Sequence, residues 1–448
     1  MQYSIIQKSQ LEGGLRLDAE YCQPEYLEVA KILQDGPHKN LSEVVSNIIN
    51  GDEIREYVEE DGLPYLRVSD IKEFFIDLSS VVLISKESGI KQNIKLKEND
   101  ILLSRSGSLA IAAVATPDLS NSVISSHLMR IPVKGINPYF LVAFLNSKFG
   151  KAQIMQRNNG TIVPEINHPS LKSLLVPILS EDIQKEIEKI VRNAYEKIQG
   201  SNKIYSQAED LLLEELGLKD FEIEDDLSYI VNLSEVKSAH RADAEYFQPK
   251  YNKLVEKVKN KNAKTLGEIV SMKKGIEPGA EVYQDEGRLF IRVSSLSKYG
   301  IEDKNQKYLS EELYQKLKNN HEPKVGEILL TKDATPGIAY VVKGQIEGII
   351  SSGTLRLKVK EKEIENEYLA LCLNSVVGQM QAERDGGGSI ITHWRPELIK
   401  SVLIPVLSKS TQQKIADLVQ KSHEARSKAK QLLAQAKHKV EQLIESKK

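Results

Sequence analysis

Arg16-Leu17-Asp18-Ala19-Glu20-Tyr21-Cys22-Gln23-Pro24-Glu25-Tyr26 returns 225 positions later as Arg241-Ala242-Asp243-Ala244-Glu245-Tyr246-Phe247-Gln248-Pro249-Lys250-Tyr251, with eight of eleven residues identical. Chance does not produce that agreement, and self-similarity at a long period decides an architecture before any single element does. Working outward, the same offset pairs Leu41-Ser42-Glu43-Val44-Val45 with Leu266-Gly267-Glu268-Ile269-Val270, and Leu66-Arg67-Val68-Ser69 with Ile291-Arg292-Val293-Ser294. At 227, Asp100-Ile101-Leu102-Leu103-Ser104-Arg105 faces Glu327-Ile328-Leu329-Leu330-Thr331-Lys332. At 228, Leu145-Asn146-Ser147 faces Leu373-Asn374-Ser375, and Val176-Pro177-Ile178-Leu179-Ser180 faces Ile404-Pro405-Val406-Leu407-Ser408. Both halves of the 448-residue chain therefore share one fold. Length alone suggests about three units of roughly 150 residues. The repeat replaces them with two copies, each a globular module followed by a long helix.

Within each half, short apolar runs bounded by Gly, Pro, Asn and Asp come first, as in Val81-Val82-Leu83-Ile84 and in Val341-Val342 after Pro336-Gly337. They predict short strands joined by loops. Tyr139-Phe140-Leu141-Val142-Ala143-Phe144-Leu145-Asn146-Ser147 reads as a buried helix ending at Asn-Ser, with its partner running from Tyr368 to Ser375. A loop holding Gly160, or Gly386-Gly387-Gly388, follows.

Each half closes on an amphipathic stripe. After Ser180, an N-cap with Glu181 and Asp182 behind it, apolar or small residues recur at Ile183, Ile187, Ile190, Ala194, Ile198, Ser201, Tyr205, Ala208 and Leu212. After Ser408 the stripe is Ile415, Leu418, Ser422, Ala425, Ala429, Leu432, Ala436, Val440 and Leu443. Steps of three and four make each a coiled-coil seam with one stutter, on a helix of roughly 56 Å. Gly200 is placed to kink or break the first. The two helices are each other's only partners of matching length, so they are expected to pack antiparallel about an approximate two-fold axis. The expected class is α+β: a first module over 1–178, a spacer helix over 179–217, a second module over 218–406 and a C-terminal spacer helix over 407–448. Two like modules held apart by a spacer suit two half-sites on a duplex about one turn, ~34 Å, apart.

Composition limits the chemistry. Lys plus Arg number 61 and Asp plus Glu 63, a net charge of −2, so a nucleic-acid partner has to be met by local patches. Apolar residues are 40% and charged residues 28%, as in an ordinary globular protein. Cys22 and Cys372 are too few for a disulfide framework or a thiolate zinc site, and fit a reducing, cytoplasmic compartment. Met1-Gln2-Tyr3-Ser4-Ile5-Ile6-Gln7-Lys8 is not the start of a signal peptide, and no apolar run of about 18 residues predicts a membrane span.

The catalytic motifs fail one by one. Asn137-Pro138-Tyr139-Phe140 echoes the Asn-Pro-Pro-aromatic motif that grips the target amine in adenine methyltransferases. It has Pro-Tyr in place of Pro-Pro, no accompanying Gly-rich cofactor loop, and Asn366-Glu367-Tyr368-Leu369 as its repeat partner, so it reads as a loop entering a helix. No Gly-x4-Gly-Lys-Ser/Thr loop is present, and Gly386-Gly387-Gly388 lacks a following Lys-Ser/Thr, so it reads as a connector. The eight histidines are scattered, which makes His127 and His393 loop or DNA-facing groups rather than metal ligands. The Arg-x-Asp-Ala-Glu-Tyr segments, present in both halves, read as a structural clasp joining each module to a helix end, not as an acid–base cluster.

The order of module, long helix, module, long helix, with Asp-Ala-Glu-Tyr-x-Gln-Pro-x-Tyr opening each half and Leu-Asn-Ser then Pro-x-Leu-Ser near its close, resembles the specificity subunit of type I restriction–modification systems. The resemblance covers essentially the whole chain. It implies that each module is a target recognition domain for one half of a split double-stranded DNA site, and that the helix pair sets the spacing and docks two adenine-methyltransferase subunits. It implies further that restriction and motor subunits join them. The chain itself would then be non-catalytic and carry no cofactor, with S-adenosylmethionine and ATP on the partners. The alternative class is a repeat-built adaptor that joins proteins through its coiled coil without touching DNA.

Positions alike in both halves should serve what both halves do, and differing positions should carry sequence choice. Of the shared basic positions, Arg67 and Arg292, Arg105 and Lys332, and Arg130 and Arg356 are the candidates for phosphate contact. The neighbouring Ser69 and Ser294 join them. Differing loop tips, Ser106-Gly107-Ser108 against Asp333-Ala334-Thr335 and Asn158-Asn159-Gly160-Thr161 against Gly386-Gly387-Gly388-Ser389, are candidates to enter a groove. From these the expected DNA-binding set takes Ser106, Ser108, Asn158, Asn159 and Thr335. Lys273 and Lys274 add a basic step in the second half, preceded by Lys257, Lys259, Lys261 and Lys264, which serve equally well as a solvated helix face.

Overall fold

A computed structural model describes residues 5, 16, 18–88, 91, 94–160, 162–221, 226–303, 306–386 and 392–446. Gly387, Gly388 and Ser389, and Thr161 in the first half, lie outside the described residues. The chain divides into two compact units, one of residues 1–198 with 427–448 and one of residues 199–426. The division cuts both long helices, so each unit owns one module and half of each helix.

In the first unit the main sheet is antiparallel, in the order Ile49–Asn50, Leu128–Ile131, Ile101–Ser104, Ala112–Val114. A second sheet runs Tyr57–Val58, Val82–Ile84, Leu63–Leu66, Val123–Ile124, its last pair parallel. The second unit repeats this plan. Its main sheet has the order Val270–Lys274, Thr354–Val359, Ile328–Thr331, Ala339–Val341, and its smaller sheet has Lys307–Leu309, Arg288–Ile291, Gly348–Ile350, the last pair again parallel. The second module adds the helix Glu311–His321, capped by Ser310 Oγ accepting from the Leu313 amide at 3.2 Å.

The shared short motifs turn out to be joints. The helix Pro138–Asn146 is wholly buried but for its first residue, and Asn374 ends the matching helix Asn366–Asn374. At their ends the side-chain amides of Asn146 and Asn374 pair with the backbone of the sheet-edge strand: with Ala112 N and O at 3.1 and 2.8 Å, and with Ala339 N and O at 2.9 and 2.7 Å. An edge that would otherwise leave unpaired peptide groups is closed by a carboxamide with the same donor and acceptor as a peptide. Gln153 and Gln381 do the same for Leu175 and Leu403, each accepting from the amide at 2.8 Å and donating to the carbonyl at 3.0 Å.

The long helices span Glu181–Leu216 and Lys409–Glu445, and every stripe position named above is buried or half-buried. Within the first unit they run antiparallel: Glu186 pairs with Lys439 while Ala194 and Ile198 pack on Ala429, and Ile187 and Val191 share the module core with Ala436, Val440 and Ile444. Within the second unit Tyr205, Ala208, Leu212 and Leu216 share a core with Ile415 and Val419, and Ser201 and Ser422, both fully buried, lie 3.0 Å apart. Each fully buried Leu, Ile or Val contributes about 1.5–3 kcal/mol. That exceeds the ~1 kcal/mol penalty of one helical glycine, and of the expected kink or break no break occurs, the helix continuing through Gly200. Gln184 and Gln412, one turn into each helix, tie it to its module, accepting from Asn137 N at 2.9 Å and Glu365 N at 3.1 Å.

Candidate nucleic-acid interface

Asn137 caps its helix, accepting from the amides of Tyr139 and Phe140 at 2.9 and 3.2 Å, with Pro138 in the first turn where no N–H is needed. The loop-into-helix reading holds. The Arg-x-Asp clasp is equally concrete. Arg16 makes a forked pair with Asp18 at 2.7 and 2.8 Å and donates to the Asn158 carbonyl just beyond the helix Lys148–Gln156. Arg241 does the same with Asp243 and with the carbonyls of Arg384 and Asp385 at the end of Val376–Gly386. Hydrogen bonds from the guanidinium groups hold Asp18 and Asp243 below the usual carboxyl range.

Two expected phosphate contacts are corrected. Arg130 is buried at 5% exposure with its guanidinium 2.5 Å from Asp100, and Arg356 at 4% with Glu327 oxygens at 2.8 and 3.0 Å and the Asn320 carbonyl at 2.8 Å. A side chain committed inside the module reaches no backbone phosphate. Burial raises the Glu327 carboxyl, but the hydrogen bonds from Arg356 and the Lys324 amide, together with the charges of both residues, hold the group below its ordinary value. Asn158 is half-buried and shapes its loop, its side-chain oxygen accepting from the amides of Gly160 and Glu165 at 3.0 and 2.8 Å.

Of the others, Ser106 and Lys332 are also buried, at 9% and 8% exposure, and the rest sit nearer the surface. Arg67 caps the short helix Val68–Asp70 and donates to the Ser80 carbonyl at 3.0 Å, while Ser69 bonds Asp70 at 3.0 Å. Arg292 is half-buried at the matching cap of Val293–Ser295, beside the exposed Ser294. Lys273 and Lys274 are exposed on the edge strand Val270–Lys274. Lys257 reaches the Gly217 carbonyl at 2.8 Å and Lys264 pairs with Glu361 at 3.2 Å, the behaviour of a solvated face.

One group of predicted residues is brought together. The turn after Ile101–Ser104 carries Arg105, Ser106 and the half-buried Ser108, and the segment holding the exposed Asn159 bonds against it, Gly107 N to Pro164 O at 3.1 Å. Arg105 pairs with Glu165, and Ser106 Oγ lies 2.6 Å from His127 Nδ1. In the second module Lys332 and the exposed Thr335 occupy the same turn, with Lys332 Nζ 2.6 Å from the Asp333 carboxylate and His393 Nδ1 3.0 Å from it. Burial would raise Asp333, but hydrogen bonds from Lys332 and His393 hold it low. Glu165 was missed from sequence; its alignment with His393 at the 228 offset was the available signal. Among the described residues no group of three His, Cys, Asp or Glu side chains could hold a metal ion, and no helix is long and apolar enough to cross a membrane.

A family model described as the type I restriction modification DNA specificity domain matches residues 39–210 and 258–438. The specificity subunit of the type I restriction enzyme EcoBI of Escherichia coli is 27% identical over 166 residues, a match spanning 34% of this chain and 34% of that relative. Among solved structures, the S subunit of a type I restriction-modification system from M. genitalium is similar over 91% of this chain and 94% of its own, at 16% identity and a TM-score of 0.39. The HsdS subunit from Thermoanaerobacter tengcongensis is similar over 92% and 94%, at 15% identity and a TM-score of 0.28.

Proposed function

The chain belongs to the type I restriction modification DNA specificity family, and from that premise we propose that it selects a split double-stranded DNA site, each module reading one half. The observation that carries this reading is that the two family segments fall on two modules of the same strand order whose exposed turns bear different side chains. A common frame with exchanged surface groups is what reading two different half-sites requires. Direct readout needs only a few side chains per half-site, while Arg and Lys on phosphates supply affinity without sequence information. Arg67, Lys273, Lys274 and Arg292 are the chain's contribution to that grip.

The proposed division of labour follows from charge. A net charge of −2 leaves much of the phosphate grip to partners, namely two adenine-methyltransferase subunits on repeat-related surfaces, with restriction and motor subunits completing the assembly. Methylation and cleavage, with their S-adenosylmethionine and ATP, belong to those partners in a cytoplasmic complex, and the long helices fix the gap between half-sites. Electrophoretic binding of the chain with a methyltransferase partner, at stated salt, tests the reading. Retention of one split sequence over competitor DNA is expected, and uniform absence of DNA binding would overturn it in favour of a protein-joining adaptor.

A further inference from the structure

The structural joints of the two modules are kept in kind: Arg16–Asp18 with Arg241–Asp243, Arg130–Asp100 with Arg356–Glu327, Asn146 with Asn374. One frame is kept while its side chains are not. Ser104 Oγ accepts from Ile111 N, and Thr331 Oγ1 from Ile338 N, both at 2.9 Å. Arg105 N donates to the carbonyl of His127 at 3.0 Å, and Lys332 N to that of Gly353 at 2.9 Å. The Arg105 carbonyl accepts from Ile166 N at 3.0 Å, and that of Lys332 from Trp394 N at 2.7 Å. Ser106 bridges Glu165 as Asp333 bridges His393. The backbone thus presents four equivalent positions, filled by Arg, Ser, His and Glu in the first module and by Lys, Asp, Gly and His in the second.

Their contacts are rewired. Arg105 pairs with Glu165 and Ser106 with His127, whereas Asp333 takes both Lys332 and His393. Gly353 fits the exchange, because a side chain there would place its Cβ 2.7 Å from Val293 Cγ2 and 3.4 Å from the Asp333 carboxylate. The exposed members are His127, Glu165 with 44% of its side chain accessible, and His393 with 66%. A pair needed only for folding would be kept in kind, as the buried arginine pairs are; an exposed set exchanged on a fixed frame is free to meet different ligands.

We propose that this four-position cluster reads bases in each half-site, with Arg105, Ser106, His127 and Glu165 on one and Lys332, Asp333 and His393 on the other; the assignment rests on the DNA-selecting function proposed above. The chemistry is that of base edges: a carboxylate accepts from the amino group of cytosine or adenine, and an arginine or lysine donates to guanine O6 and N7. The first module offers a donor and an acceptor side by side, and the second turns an imidazole outward from a carboxylate.

The test maps methylated adenines in DNA from cells expressing the full chain with its methyltransferase partner. Wild type fixes the two half-sites and the gap; methylation at no split sequence would overturn the DNA-selecting function and this assignment with it. In Ser106→Asp with His127→Gly and Glu165→His, the first module carries three of the second module's four residues and keeps Arg105 for Lys332, and base preference in one half-site is expected to shift about ten-fold while the other half and the gap stay as they were. The near-isosteric Glu165→Gln and, in the other module, His393→Gln are each expected to relax one half-site alone, which keeps the assignment falsifiable if the triple variant does not fold. Methylation by the single variants of the wild-type sequence with wild-type preference in both halves would overturn the assignment and leave the function standing.

Discussion

Arg356→Ala separates a structural arginine from a DNA-contacting one. The substitution removes two hydrogen bonds to Glu327, at 2.8 and 3.0 Å, and one to the Asn320 carbonyl at 2.8 Å. It leaves a carboxylate 11% exposed with its main partner gone. Breaking one side of a buried pair costs about 3–5 kcal/mol, a large part of the ~5–15 kcal/mol by which a domain is stable. Replacing both members, as in Arg356→Met with Glu327→Leu, removes the stranded charge, and stability is expected to return to within about 1 kcal/mol of wild type or above it. Urea unfolding of the full chain reads these values. Salt titration of DNA binding by the assembled complex reads the other half: a lost phosphate contact lowers the slope of log K on log salt by about one, and the double variant is expected to keep the wild-type slope. A stable Arg356→Ala whose salt slope falls by one would refute the assignment of Arg356 to the module interior.

Three further outcomes are expected. His423 on the second long helix is 9% exposed on its side chain, faces the rings of Tyr205, Tyr299 and Tyr340, and is pushed down to about 4, chiefly by burial and then by the Lys343 charge. Against an unfolded value of about 6.5 its stabilisation is complete above that pH and is lost as pH falls toward 4, amounting to about 2 kcal/mol between pH 7.5 and 5; denaturant melts of His423→Met should lack that component, and an unchanged pH slope would contradict it. Adding four residues at matching points of both long helices lengthens them by roughly 6 Å, one to two base-pair steps, and the methylated half-sites should move apart accordingly; an unchanged gap would show that the helices do not set it. Ser422→Ala removes the side-chain partner of the buried Ser201 hydroxyl, 3.0 Å away, and is expected to cost about 1–3 kcal/mol, with Ser201→Ala/Ser422→Ala recovering part of it, as urea unfolding would show.

The repeat and the two long helices were legible because both are properties of spacing. An eleven-residue match at a fixed offset, and a three-and-four stripe across about thirty residues, survive without knowledge of any contact. The roles of Arg130 and Arg356 were not legible from residue type, since a shared arginine serves a phosphate or a buried carboxylate equally well. Their setting held the clue: each arginine is flanked on both sides by apolar strand residues, in Leu128-Met129-Arg130-Ile131 and Leu355-Arg356-Leu357. Gln184, Gln412, Gln153 and Gln381 escaped notice because an isolated glutamine carries no pattern until its backbone partner, from 5 to 47 residues away, is in place. The expected break at Gly200 failed because packing of the flanking seam residues overrides a local propensity of ~1 kcal/mol.

The central claim is that two modules on one chain read two halves of one DNA site. Sequencing of methylated adenines in DNA from cells producing this chain with a methyltransferase partner, and in a matched culture producing the partner alone, tests it most directly. Methylation at a single bipartite sequence with a fixed unread gap is expected, present only when this chain is produced. Methylation without the chain, or at one uninterrupted sequence with no gap, would contradict it.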